Sequence, residues 1–92
     1  MDELDREIVS LIARRVEYVR AAAKFKASAE AVAAPERVRA VLSARRKWAE
    51  AAGLDGLTIE RLYRELVGYC IKEEKKLWEQ LRGVRPFDRR LI

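Results

Sequence analysis

The sequence predicts an all-α protein of three helices, long, medium and long, and three observations predict it. Apolar residues recur at alternating steps of four and three over two long stretches. Alternation with period two never persists, which leaves strands without support. Pro35, Gly53, Gly83 and Pro86 fall where the helical periodicity lapses, at the positions where helix starts and stops belong.

The first helix is expected from Asp2 to about Ser28, with Leu4, Ile8, Leu11, Val19 and Ala22 on one stripe and no Gly or Pro inside it. At about 1.5 Å per residue its roughly 27 residues reach about 40 Å, longer than a compact domain of 92 residues needs. The outer part of such a helix needs a cover, and a chain this short gains buried area most readily from a second copy. An intertwined homodimer of three-helix protomers is therefore expected.

The segment 28–34 is small and weakly patterned and reads as a turn. Pro35 then opens a second helix, Pro being favoured in a first helical turn, which runs to about Ala52 and stops at Gly53, a natural left-handed cap. Leu54 to Leu57 form a connector. Thr58 is expected to cap the third helix, which continues through Ile59, Leu62, Tyr63, Leu66, Cys70 and Leu77 to about Leu81. Residues 1–81 thus make one helical domain, and 82–92 a basic C-terminal tail with four arginines.

Composition narrows the chemistry. There is no histidine, which removes Ser-His-Asp and Cys-His nucleophilic sites and histidine-containing zinc sites. With a single cysteine, Cys70, and no Gly-rich phosphate loop, neither a metal nor a cofactor is expected. Catalysis, if present, must run on Arg, Lys, carboxylates and shape. No apolar run approaches the roughly 18 to 20 residues that cross a bilayer, the N-terminus is acidic where a signal peptide would be basic, and a lone Cys suits a reducing compartment; a cytoplasmic protein without a membrane partner is expected. The net charge of +5 suits a polyanion or a small dicarboxylate equally. A helix-turn-helix reading fits poorly, because the mixed run Lys72-Glu73-Glu74-Lys75-Lys76 lacks the outward cluster of cations that a recognition helix carries, and no nucleic-acid partner is expected.

The sharpest signal is charge placed where apolar residues belong. The first stripe, written in full, is Leu4, Ile8, Leu11, Arg15, Val19, Ala22 and Lys26, so two cations interrupt it. Their separation of eleven residues returns to nearly the same angle after three turns, so both point the same way. Glu74 intrudes likewise on the stripe Tyr63, Val67, Cys70 and Leu77, and Arg37 stands beside the stripe Val38, Leu42, Arg45 and Trp48. Unpaired buried charge is costly, so these side chains either snorkel and pair with one another or face a ligand that supplies negative charge.

At these residues the chain resembles a known family. Residues 1 to 15, Met-Asp-Glu-Leu-Asp-Arg-Glu-Ile-Val-Ser-Leu-Ile-Ala-Arg-Arg, resemble the opening helix of the all-helical chorismate mutases. The blocks from Tyr18 to Ser28, Ala34 to Val38, Trp48 to Glu50 and Gly53 to Asp55 are similar to the isochorismate pyruvate lyases, the salicylate-forming branch. The likeness covers about residues 1 to 78. It implies the chorismate mutase type II fold, a homodimer with two equivalent sites, and a small dicarboxylate substrate, chorismate or isochorismate. Carried over by position, Arg15, Lys26 and Arg37 match the family's substrate-binding cations, and Glu74 falls where the family usually has glutamine.

Under that resemblance the reactions are pericyclic and need no nucleophile, metal or general base. Arg15 and Arg37 would hold the two carboxylates, with Lys26 and a protonated Glu74 as catalytic donors to the ether oxygen. The family's further arginine, about three residues before the position of Met1, is absent from this sequence; an earlier start or a cation of the 82–92 tail would supply it. The lyase is the expected reaction, with chorismate mutase activity beside it. The alternatives are a chorismate mutase proper, a mutase of an amino-substituted chorismate in secondary metabolism, and a non-catalytic helical interaction module.

Overall fold

A computed structural model describes residues Met1–Gly83; the expected basic tail lies, from Val84 on, outside the described residues. The elements are α1 (Asp2–Ala22), a 3-10 turn (Ala23–Phe25), α2 (Ala29–Ala33), α3 (Pro35–Ala51) and α4 (Gly56–Leu81). Asp2, Glu3 and Asp5 in the first turn of α1 and Arg20 in its last complement the helix dipole.

Two boundaries before Pro35 differ from the sequence reading. The first helix stops at Ala22 instead of near Ser28, and Lys26 is extended, with φ −84 and ψ 134. The expected turn contains α2, whose first turn is capped by the Ser28 hydroxyl accepting from the amide of Ala31 at 3.1 Å. α2 closes at Ala34, in the left-handed region with φ 38. A residue before proline is steered away from the right-handed helix, so Pro35 separates α2 from α3.

At the other end of α3 the Gly53 stop is as expected. Gly53 has φ +79, its amide bonds the Glu50 carbonyl at 3.1 Å and the Leu54 amide bonds that of Ala49 at 2.8 Å, which satisfies two terminal carbonyls. The cap of α4 is Asp55 and not Thr58: its carboxylate accepts from the Thr58 amide at 3.0 Å, so the helix starts at Gly56. The linear pattern suggested Thr58 because that residue directly precedes the apolar periodicity, whereas the connector itself supplies the better acceptor.

α4 packs against every other element, while α1 and α3 make no extended contact with each other. The pairings Arg15 with Cys70, Arg20 with Glu73 and Lys26 with Glu74 show α1 running in the same direction as α4. The result is a cleft with α1 and α3 as walls and α4 as floor. Its core is thin, formed by Val16, Ala23, Val32, Leu42, Ala49, Val67 and Cys70. Leu4, Ile8 and Leu11 remain 56%, 54% and 58% exposed, and Trp48, placed on an inward stripe by the sequence, is 63% exposed. The described residues extend over 53 × 31 × 23 Å with a radius of gyration of 16.0 Å, against about 12 Å for a compact domain of this length. Among the described residues no helix is long and apolar enough to cross a membrane.

Both hydrogen bonds from Thr58 hold the Asp55 carboxyl below its ordinary value of 3.8, the side-chain bond contributing most. A depressed carboxylate stabilises the fold above its unfolded pKa and loses that contribution as pH falls through the folded one. Asp55→Ala should therefore lower the thermal midpoint at neutral pH, with the difference from wild type shrinking on acidification. Asp55→Asn, which keeps the acceptor, should retain most of the midpoint; circular dichroism melts across pH check both.

Candidate active site

The cleft encloses a cavity of about 410 Å³, within the range of small-molecule sites. Arg15, Val19 and Lys26 come from the α1 side, Val32 from α2, Arg37, Val41 and Arg45 from α3, and Val67, Cys70 and Glu74 from the floor. Four cations thus face one carboxylate. An apolar lining with so few polar groups lowers the local dielectric, which strengthens their attraction for an anion.

Each cation is held differently. Arg15 donates from Nη1 to Cys70 Sγ at 3.0 Å, a weak acceptor that leaves most of its fork uncommitted. Lys26 Nζ lies 3.7 Å from Glu74 Oε1, an ion-pair distance but too long for a good hydrogen bond. Glu74 is only 6% exposed, and that oxygen is buried without a hydrogen-bond partner. Arg37 is exposed at the rim, near the start of α3. Buried polar atoms left unpaired in a cavity mark where a ligand's own polar atoms can be received.

Lys26 reaches this position because α1 ends early. Its carbonyl oxygen, freed from the helix ladder, accepts from Trp78 Nε1 at 3.0 Å and Arg82 Nη2 at 2.6 Å. The Arg82 guanidinium stacks on the Trp78 ring at 4.6 Å, so two side chains from the end of α4 clamp one carbonyl. Among the described residues no group of three Cys, Asp or Glu side chains stands close enough to hold a metal ion.

The sequence profile described as chorismate mutase type II matches residues 1–75. The chain belongs to the chorismate mutase type II family. An isochorismate pyruvate lyase from Pseudomonas aeruginosa is 46% identical over 83 residues, covering 90% of this chain and 82% of that protein. A Haemophilus influenzae protein named T-protein is 41% identical over 68 residues, 73% of this chain but only 18% of its own length.

In this chorismate mutase type II chain, Arg15, Lys26, Arg37 and Glu74, the four positions singled out from the sequence, line one cavity. Arg45 joins them there, a residue that the sequence placed on the stripe of Val38 and Leu42 without assigning it to the site. The sequence carries no sign of Trp78 at the site, and it offers Arg82 only as one of the tail cations; both act on a backbone carbonyl, and hydrophobic periodicity carries no signal for such a bond. Losing one neutral hydrogen bond, about 0.5–1.5 kcal/mol, should raise local opening by about two- to tenfold. Trp78→Phe is accordingly expected to speed amide exchange at Lys26 by that factor while leaving exchange in the middle of α4 unchanged.

Proposed function

We propose that the chain is a pericyclic enzyme of chorismate-type substrates, an isochorismate pyruvate lyase that converts isochorismate to salicylate and pyruvate, with chorismate mutase activity beside it. The observation that carries this reading is the Lys26–Glu74 pair, with its unsatisfied buried oxygen, inside a cavity lined by cations. The 46% identity to a protein named isochorismate pyruvate lyase favours the lyase. The family name favours the mutase as the second reaction.

In the elimination, the ether C–O bond breaks as a ring hydrogen passes to the methylene of the enolpyruvyl arm, so the step needs no external acid or base. What it needs is a folded conformer and stabilisation of the charge that grows on the ether oxygen. Arg15 and Arg37 bind the two carboxylates, and guanidinium forks supply directional bonds that hold the conformer. Lys26 donates to the ether oxygen from one side. Glu74 serves from the other only as a neutral carboxyl, because an ionised one would repel the developing anion.

The protomers assemble in pairs in this reading. The supporting feature is the row Leu4, Ile8 and Leu11, more than half exposed on a helix whose first ten residues are all exposed. Rows of this kind are the usual material of homodimer interfaces. A cytoplasmic location accords with the single unpaired Cys70.

Product analysis with purified protein and isochorismate tests the assignment directly: salicylate and pyruvate in equal amounts are expected, and turnover of chorismate alone would make the chain a mutase proper. Lys26→Ala should lower kcat by roughly 10² or more, as loss of an oxyanion donor does. Glu74→Gln, whose amide can donate to the ether oxygen, should retain turnover of isochorismate, whereas Glu74→Ala, which removes the donor, should lose most of it. Ile8→Asp, harmless on a solvent-facing helix, should shift the protein from dimer to monomer in sedimentation if a second copy covers that row.

A further inference from the structure

Arg45 has no part in the scheme above, yet it lines the same cavity. Its Nε is buried with no hydrogen-bond partner, and among the described residues no carboxylate lies within ion-pair distance of it. The guanidinium is not loose: its carbon stands 4.4 Å from the centre of the Trp48 ring and 5.7 Å from that of Tyr63. Two aromatic neighbours restrict a planar guanidinium to few orientations and leave its in-plane donors free, which is the pre-organised form of a carboxylate fork. A buried donor with that freedom lacks an acceptor, and the cavity is the direction from which one can come.

Its place along the cleft says which acceptor. On α3, Arg45 is eight residues beyond Arg37, about 12 Å along the axis, and it rests against Tyr63, on α4 well before Glu74. Arg15 is tied to Cys70, also on the near side of Glu74. Two guanidinium groups therefore occupy one part of the cavity, and the Lys26–Glu74 pair the other. In chorismate and isochorismate the carboxylate of the arm sits on the carbon that carries the ether oxygen, whereas the ring carboxylate sits two ring carbons from the ether-bearing one. With Lys26 at the ether oxygen, the remote cations meet the ring carboxylate.

We propose that Arg45 is a further substrate-binding residue, which joins Arg15 on the ring carboxylate and makes the site selective for substrates that carry one. This rests on the assignment of chorismate-type substrates made above. It extends that assignment by dividing the substrate into halves read by different ends of the cleft.

The two product halves make the test. Salicylate carries the ring carboxylate and pyruvate the carboxylate of the arm, and each can be used as a competitive inhibitor of isochorismate turnover by the wild type, Arg45→Gln and Arg45→Lys. A lost charged hydrogen bond corresponds to about a ten- to hundredfold weakening. In Arg45→Gln, inhibition by salicylate should weaken and the KM for isochorismate rise by about that factor, with pyruvate inhibition and kcat within about threefold of wild type. Arg45→Lys, which keeps the charge but not the fork, should fall between, and it decides the matter if the Gln variant does not fold. Unchanged salicylate inhibition, or equal weakening for salicylate and pyruvate, overturns the role of Arg45 while leaving the lyase assignment intact. A wild type that turns over neither isochorismate nor chorismate removes both.

Discussion

The bonds from Trp78 and Arg82 to the carbonyl oxygen of Lys26 hold the chain in place just beyond the first helix, and most of the site follows from that placement. An uninterrupted helix to Ser28 would carry Lys26 onward along the axis of α1, in its last turn. Held instead by the end of α4, the backbone turns extended at Lys26, and the side chain comes to 3.7 Å from Glu74. The same turn lets Ser28 cap α2 and brings Val32 to the cavity wall. A pair of side-chain bonds to one carbonyl thus holds the bend at the end of a long amphipathic helix.

The cost of keeping charges in the cleft shapes the rest of the protomer. With so few residues buried, the fold has little apolar burial from which to offset unsatisfied polar atoms such as Glu74 Oε1 and Arg45 Nε. Local devices compensate at the turns, where the Gly53 stop and the Asp55 cap satisfy helix ends without using core. The exposed apolar row of α1 is the remaining reserve. A partner on that row would add apolar burial to a thin core.

Much of this was legible in the sequence because charges interrupting an apolar stripe are a strong signal. Arg15 and Lys26 were placed on one face by their spacing of eleven alone, and Glu74 by its position between Cys70 and Leu77. Lys26 lines the cavity with Arg15 in spite of the break before it, although the 3-10 turn and the extended residue depart from the helical spacing that singled it out. Gly53 was legible for a different reason, because few residues but glycine tolerate its φ. What stayed hidden depends on contacts between distant segments: the clamp on Lys26 and the outward turn of Trp48. Propensity and period describe one helix at a time, and these features belong to pairs of helices. Asp55 was misread for a local reason, two capping residues competing three positions apart.

The lack of histidine finds its physical reason in the same cavity. A pericyclic step moves no proton to or from the protein, so a group that changes charge near neutral pH would add only a field that varies with conditions. Guanidinium groups keep their charge throughout, and Arg15, Arg37 and Arg45 make the greater part of the cavity's potential a fixed property of the fold. In the proposed scheme the Lys26–Glu74 pair stands where charge develops during the reaction. The guanidinium groups of that scheme position the substrate while Lys26 and Glu74 face the bond that breaks, so the two tasks fall to different residues.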